Sequence, residues 1–261
     1  MNKPSPFLGN FLKVLMLLAI LISLFITLPC ALVKALIITD LCFALCLFLL
    51  LRFKKQSLTF PLYKLINYFC LFNCILAVST TRIILTIENL EKHFTFAVRV
   101  GQWICAENPI MGIFITVTFC FILFFYTKKV VGDSQEIAAR FSLDSLNNKM
   151  LDIQNQINNG ELTETEASIQ RDNIREEVDY KYSMAIAAKP LMTTICAISF
   201  LFLITIVGGI ASGVKIFNMT CIGAITQYST LSCGYFLFFI LALLLTGLGY
   251  GNFRCTDKRK G

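Results

Sequence analysis

The sequence predicts an all-α fold: a polytopic membrane protein with about six transmembrane helices and a cytoplasmic helical hairpin inserted after the fourth. Three observations predict it. Of 261 residues, 56% are hydrophobic and 15% charged, against about 45–50% and about 25% in soluble globular chains, which excludes a water-soluble fold. The apolar residues gather into runs of the length that crosses a hydrocarbon core, about 20 residues. Charge is segregated as well: Thr127 to Pro190 holds 11 acids and 8 bases, and the rest of the chain holds 15 bases and 5 acids.

The spans follow in order. Phe11 to Leu28, Ala35 to Leu51, Leu65 to Thr81, Pro109 to Tyr126 and Leu191 to Val214 each qualify, and a sixth lies within Cys221 to Tyr250, best at Tyr235 to Tyr250. A cleaved signal peptide is a poorer reading of the first run, because no small-residue cleavage site follows Leu28. Backbone groups in lipid must bond within their own segment, so the spans are helices. Short cytoplasmic loops retain Lys and Arg. With the N-terminus inside, that side collects Lys3, Arg52, Lys54, Lys55, Lys64, Lys128, Lys129, Arg254, Lys258, Arg259 and Lys260. The expected organisation is four helices over 1–127, a cytoplasmic helical loop over 128–190, two helices over 191–251 and a basic tail over 252–261, with both termini cytoplasmic.

Within the insert, Leu146, Met150, Ile153 and Ile157 recur at helical spacing on one face. Asn159-Gly160 is a stop signal. Thr163 to Glu166 has the spacing of a capping box and opens a second helix through Ala167, Ile174 and Val178. Two short amphipathic helices form a hairpin too small to bury a core alone, so their stripes need each other and a neighbour.

Candidate chemistry is sparse. Eleven Cys, an odd number scattered through apolar runs, read as reduced packing side chains. Cys42 with Cys46 and Cys70 with Cys74 share helix faces, but one His (His93) and no CxxC spacing leave no metal set. No glycine-rich phosphate loop and no catalytic set occurs, so neither enzyme activity nor a cofactor is expected. The basic residues flank apolar spans instead of forming a patch, which argues against nucleic acid. Asp40 is the ionisable residue placed well inside a clear span, which makes it the candidate ion or proton relay; hydrogen bonding within the bundle is the alternative. Asn67 and Asn73 read as helix-to-helix hydrogen bonders, and Gly208 and Gly209 as close-packing positions.

Glu136-Ile137-Ala138-Ala139-Arg140-Phe141-Ser142-Leu143-Asp144, then Lys149, Asn159-Gly160 and a Glu-rich helix ending Val178-Asp179-Tyr180, resembles the cytoplasmic loop of the FHIPEP family. Those are the export-gate proteins of flagellar and virulence type III secretion. Ser79-Thr80-Thr81-Arg82-Ile83-Ile84-Leu85 resembles the family's third helix, and Val100-Gly101-Gln102 before Pro109 more loosely its fourth. The resemblance is clearest from about Pro61 to Val214. It implies a bacterial inner-membrane, multi-pass subunit that meets lipid and other export-apparatus membrane subunits, assembles as a homo-oligomeric ring and helps couple proton-motive force to export. Arg140, Asp144 and Lys149 stand at matching positions of the loop and are the candidate subunit contacts that the resemblance implies.

The departures are equally specific. Asn73 stands where the family has an Arg, and Ala77 where it has an Asn; Gln154 and Gln156 replace family acids. Where the family reads Gly-Ala-Met-Asp-Gly and Lys-Gly-Asp, this chain has Tyr182 to Ile186 and Met192-Thr193-Thr194, and neither Ala185 nor Thr194 titrates near neutral pH. Of the family's Gly-Asp-Gly, Gly234 remains, followed by Tyr235-Phe236. Family members continue into a large cytoplasmic domain, so a shortened export-gate subunit is expected. A small proton- or ion-coupled transporter, or a truncated remnant without function, are the alternatives.

Overall fold

The computed structural model describes residues 18, 29–53, 62–86, 95–106, 108–140 and 146–258. Apart from Leu18, the expected first span (Phe11 to Leu28) lies outside them, as do His93 and Asp144. The elements are α1 (Cys30–Phe53), α2 (Leu62–Thr86), α3 (Thr95–Cys105), α4 (Pro109–Arg140), α5 (Leu146–Asn158), α6 (Glu164–Lys215) and α7 (Cys221–Lys258), with no strand among the described residues. Five helical stretches are long and apolar enough to cross a membrane: Cys30–Arg52, Leu62–Thr86, Pro109–Arg140, Ala185–Lys215 and Cys221–Gly251. The all-α, polytopic membrane architecture therefore stands.

α7 is the central helix, with 67% of its apolar window buried against 22% for α4 at the periphery. Glycines on it and on α6 admit a different neighbour on each side. Gly249 faces Phe48 and Leu51 of α1, Gly247 faces Tyr126 and Thr127 of α4, and Tyr228 lies over Gly209 and Gly213 of α6. Without a hydrophobic drive between helices in lipid, such close approach is what gives packing energy. α2 packs chiefly on α6. The large apolar side chains left exposed are densest on α4, where Phe114, Phe121, Ile122 and Phe125 point outward, as a lipid-facing surface does.

Three elements differ from the expectation. α3, in a stretch with no predicted span, is an 11-residue helix about 16 Å long, too short to cross. Its helical logic is local: Ala97, Gly101 and Cys105 recur every four residues and form the buried face. α4 runs past Tyr126 through Lys128 and Lys129 to Arg140, beginning at Pro109, where a missing N–H costs nothing, with Asn108 Oδ1 accepting from the Ile110 N–H at 3.2 Å. The second hairpin helix and the fifth span are one unbroken 52-residue helix, α6.

The hairpin signals act as read. α5 ends at Asn158, and Gly160 takes φ +75°, the left-handed stop that glycine adopts without Cβ strain. Thr163 caps α6 with its Oγ1 accepting from the Glu166 N–H at 3.4 Å, while Glu166 Oε2 accepts from the Thr163 N–H at 3.1 Å.

Candidate functional site

Two of the buried polar side chains inside the spans meet across a helix pair. Asp40, on α1, is 2% exposed and Asn73, on α2, is fully buried. Asn73 Nδ2 donates to Asp40 Oδ1 at 2.8 Å and to the Phe69 carbonyl of its own helix at 3.2 Å, which fixes the amide. Phe43 and Phe69, with ring centroids 5.7 Å apart, sit on the same two helices beside the pair. Among the described residues no Lys, Arg or His pairs with Asp40, and Asn73 Oδ1 is buried without a hydrogen-bond partner. A buried acceptor of this kind costs about 1–3 kcal/mol and calls for an explanation such as a bound water or a transient donor.

One residue on, a second contact reaches α6: Cys74 Sγ lies 3.9 Å from Thr194 Oγ1, and the Thr194 hydroxyl donates to the Pro190 carbonyl at 2.9 Å. Further along, Thr81 and Thr205 share a hydrogen bond at 3.0 Å between two buried hydroxyls. Two contacts, Cys74 with Thr194 and Thr81 with Thr205, thus cross the α2–α6 interface as a polar seam, and Asn73 with Asp40 lies one residue to its side. Ser79 and Thr80 also bond back to the Ile75 and Leu76 carbonyls at 2.9 and 2.7 Å, so their hydroxyl hydrogens are used locally.

The sequence reading placed Asp40 and Asn73 separately, and the structure joins them. Asn67 is exposed. Thr194, noted only as the place of a lost acid, enters the seam; its signal was visible in that substitution but not its neighbours. Gly209 is a close-packing position, since a Cβ there would lie 2.3 Å from the Tyr228 ring.

The loop candidates are set apart from this seam and from each other. Arg140 closes α4 and pairs with Glu136 at 2.6 Å, both side chains well exposed. Lys149 in α5 reaches Glu177 in α6 at 3.0 Å, half-exposed, and Arg171 donates to Gln154 Oε1 at 2.9 Å. These two ties pin the hairpin, with Gln154 accepting the bond at a position where the resemblance has an acid. Asp144 falls outside the described residues. At the hairpin mouth, Glu166 is held below the usual carboxylate range by the Thr163 hydroxyl and then the Thr163 N–H.

The profile described as the FHIPEP family matches residues 20–251. Among curated proteins, the flagellar biosynthesis protein FlhA of Borreliella burgdorferi is 28% identical over 223 residues, 84% of this chain and 32% of that protein. FlhA of Proteus mirabilis is 30% identical over 226 residues, with the same coverage. The hypersensitivity response secretion protein HrpI of Pseudomonas syringae pv. syringae is 28% identical over 220 residues, 83% of this chain and 31% of its own. The chain spans about a third of the length of these relatives. No solved structure matches it.

Proposed function

The chain belongs to the FHIPEP family, and on that premise we propose that it is an integral-membrane subunit of a type III protein secretion apparatus, flagellar or virulence, contributing to the export gate through which proteins translocate. The observation that carries this reading is the family match across nearly the whole bundle and hairpin, with relatives named for both flagellar biosynthesis and hypersensitivity-response secretion. The role is the scaffolding of a translocation path, with no enzymatic step in it.

In this reading the protein resides in the bacterial inner membrane with both termini and residues 128–190 cytoplasmic, copies of the chain form a ring, and other export-apparatus subunits pack against it. Arg140, Asp144 and Lys149 are the loop contacts, and Asp40 is the proton or ion relay of the gate. What supports Asp40 is its burial beside a single amide donor and the unpartnered Asn73 Oδ1 next to it, a setting where a proton or water can be held.

Purification of the tagged chain from its native membrane tests the proposal. Co-isolation of other secretion-apparatus membrane subunits, with a secretion defect on deletion, is the expected result. Absence of such subunits together with normal secretion in the deletion strain overturns it. For the relay, Asp40→Asn should reduce secretion while leaving the chain folded and its partners bound; undiminished secretion removes Asp40 from the mechanism.

A further inference from the structure

Two thiols meet where α3 crosses α7. The helices run antiparallel with their backbones touching: a Cβ on Gly101 would stand 1.9 Å from the Thr230 carbonyl oxygen, and one on Gly234 1.9 Å from the Ala97 carbonyl oxygen. Ala97, Gly101 and Cys105 form the buried face of α3, so the turn after Gly101 presents Cys105 to the same neighbour. Helical side chains lean toward the N-terminus of their own helix. In an antiparallel pair Cys105 therefore leans back toward Gly101 and Cys233 toward Thr230, which brings both sulfurs to one level. The Cys233 thiol donates a hydrogen bond to Cys105 Sγ, and the Thr116 hydroxyl of α4 lies beside Cys233. Gly112 of α4 leaves room for the pair, since a Cβ there would stand 2.2 Å from Cys105 Sγ.

The two sulfurs differ in access. Cys233 is fully buried, whereas Cys105 lines a cavity of about 740 Å³ between the end of α3 and the start of α7. The hydrogen bond from Cys233 also holds the Cys105 thiol below its ordinary range, which favours the nucleophilic thiolate. The other neighbouring cysteines are built differently. Cys42 with Cys46 and Cys70 with Cys74 each sit one turn apart on a single helix, their Cβ atoms about 5–6 Å apart, beyond the roughly 3.5–4.5 Å that a disulfide spans.

We propose that Cys105 and Cys233 are a disulfide-forming pair that clasps α3 to α7. The oxidant is an external disulfide. The Cys105 thiolate, its proton given to water, attacks one sulfur of that disulfide and expels the other as a thiolate, leaving a mixed disulfide. The Cys233 thiol gives its proton to the expelled thiolate and attacks Cys105 Sγ. The second thiolate leaves and takes up the proton that Cys105 released, so one external disulfide is reduced to two thiols as one bridge forms. The bridge closes a ring of chain that contains α4, α5 and α6, and in chain-entropy terms a large ring gains more from closure than a small one. With residues 128–190 cytoplasmic, the span in α4 puts α3 on the opposite face of the membrane, where disulfides persist. That compartment rests on the orientation proposed above; the exchange chemistry does not.

The full chain in detergent micelles is treated with 4,4′-dithiodipyridine, a small neutral disulfide, then digested without reduction and mapped by mass. The expected result is a peptide pair bridged from Cys105 to Cys233 with no pyridyl group retained, while the exposed Cys221 at the start of α7 keeps one as a mixed disulfide. Trp103, the chain's one tryptophan, lies in the last turn of α3 with Cys105. It should lose emission on closure, because a disulfide quenches a nearby indole, and regain it with dithiothreitol. Cys105→Ser should abolish that loss, and in Cys233→Ser the exchange should stop with the pyridyl group on Cys105. The map of the unaltered chain stands without either variant. Pyridyl groups retained on both Cys105 and Cys233, either thiol left unreacted, or a bridge from Cys105 to another cysteine overturns the proposal. Acid-quenched cells, alkylated and mapped in the same way, should yield the same bridged peptides; a reduced pair there overturns it as well. None of these measurements needs another subunit, so a missing bridge beside successful co-isolation of secretion subunits removes the clasp and leaves the gate reading in place.

Discussion

Replacing Gly234 by Ala tests how the short helix α3 is held. The new methyl would lie 1.9 Å from the Ala97 carbonyl oxygen, where ordinary contact begins at 3.4 Å, so the two helices must part by roughly 1.5 Å at the crossing. Both atoms in conflict belong to helix backbone or are rigidly attached to it, and neither can rotate away. Overpacking of this kind costs about 1–3 kcal/mol, and the Cα–H···O contacts that glycine permits here, worth about 0.5–1 kcal/mol each, are lost. Alanine's better helix propensity returns roughly 0.5–1 kcal/mol, which offsets the lost contacts and leaves a net loss of about 1–3 kcal/mol. The control is Gly132→Ala in α4, where nothing lies within 4 Å and the propensity gain should appear alone. Unfolding in mixed micelles at rising dodecyl sulfate, followed by Trp103 emission, should separate the two variants by about 2 kcal/mol. Gly101→Ala/Gly234→Ala should cost less than the sum of its parts, because one separation relieves both clashes. If Gly234→Ala proves as stable as Gly132→Ala, the backbone contact between α3 and α7 is refuted.

Asn73→Ala removes the amide that donates to Asp40 and should destabilise the bundle by about 2–3 kcal/mol, whereas Asp40→Asn keeps an acceptor and should cost about 1 kcal/mol or less in the same titration. Thr163→Ala should lower protection of the first turn of α6 by about 1 kcal/mol, read by hydrogen exchange. Because the folded-state pKa of Glu166 is depressed, the capping box is fully present at neutral pH and above the ordinary glutamate range. It is lost only as pH falls below that range through the depressed value; protection that instead rises on acidification contradicts the assignment. Lys149→Ala breaks a half-exposed pair with Glu177 worth only about 0.2–1 kcal/mol, so stability should barely change; loss of co-isolated subunits in this variant would mark Lys149 as a contact, and unchanged co-isolation would remove it from that role.

What could be read from the sequence was whatever depends on neighbours along the chain. Hydropathy located the α1, α2, α4, α6 and α7 spans. The pattern Leu146, Met150, Ile153, Ile157 with Asn159-Gly160 marked α5 and its stop, and Thr163 with Glu166 marked the start of α6. α3 escaped because Arg99 and Gly101 dilute the apolar run of a helix too short to register as a span, and its glycine has meaning only against Thr230, far along the chain. The continuity of α6 escaped because Pro190 and the switch from charged to apolar composition read as a boundary, although proline removes only one helical hydrogen bond. In the polar seam the individual residues were visible, but no local pattern says that Asn73 meets Asp40 or that Thr194 lies beside Cys74; those pairings come from how helices far apart in sequence are stacked.

The unbroken course of α6 has a mechanical consequence. Its polar portion, from Glu164 to the entry of the apolar stretch at Ala185, is an arm about 30 Å long at 1.5 Å per residue, rigidly joined to the portion that carries Thr194 and Thr205. A swing of roughly 10° about the membrane entry carries the tip of that arm by about 5 Å. In the opposite sense, a force on the hairpin arrives at the buried hydroxyls as a small, strongly geared rotation, so pulling outside the bilayer is felt beside Asp40 along one continuous helix that Pro190 does not break.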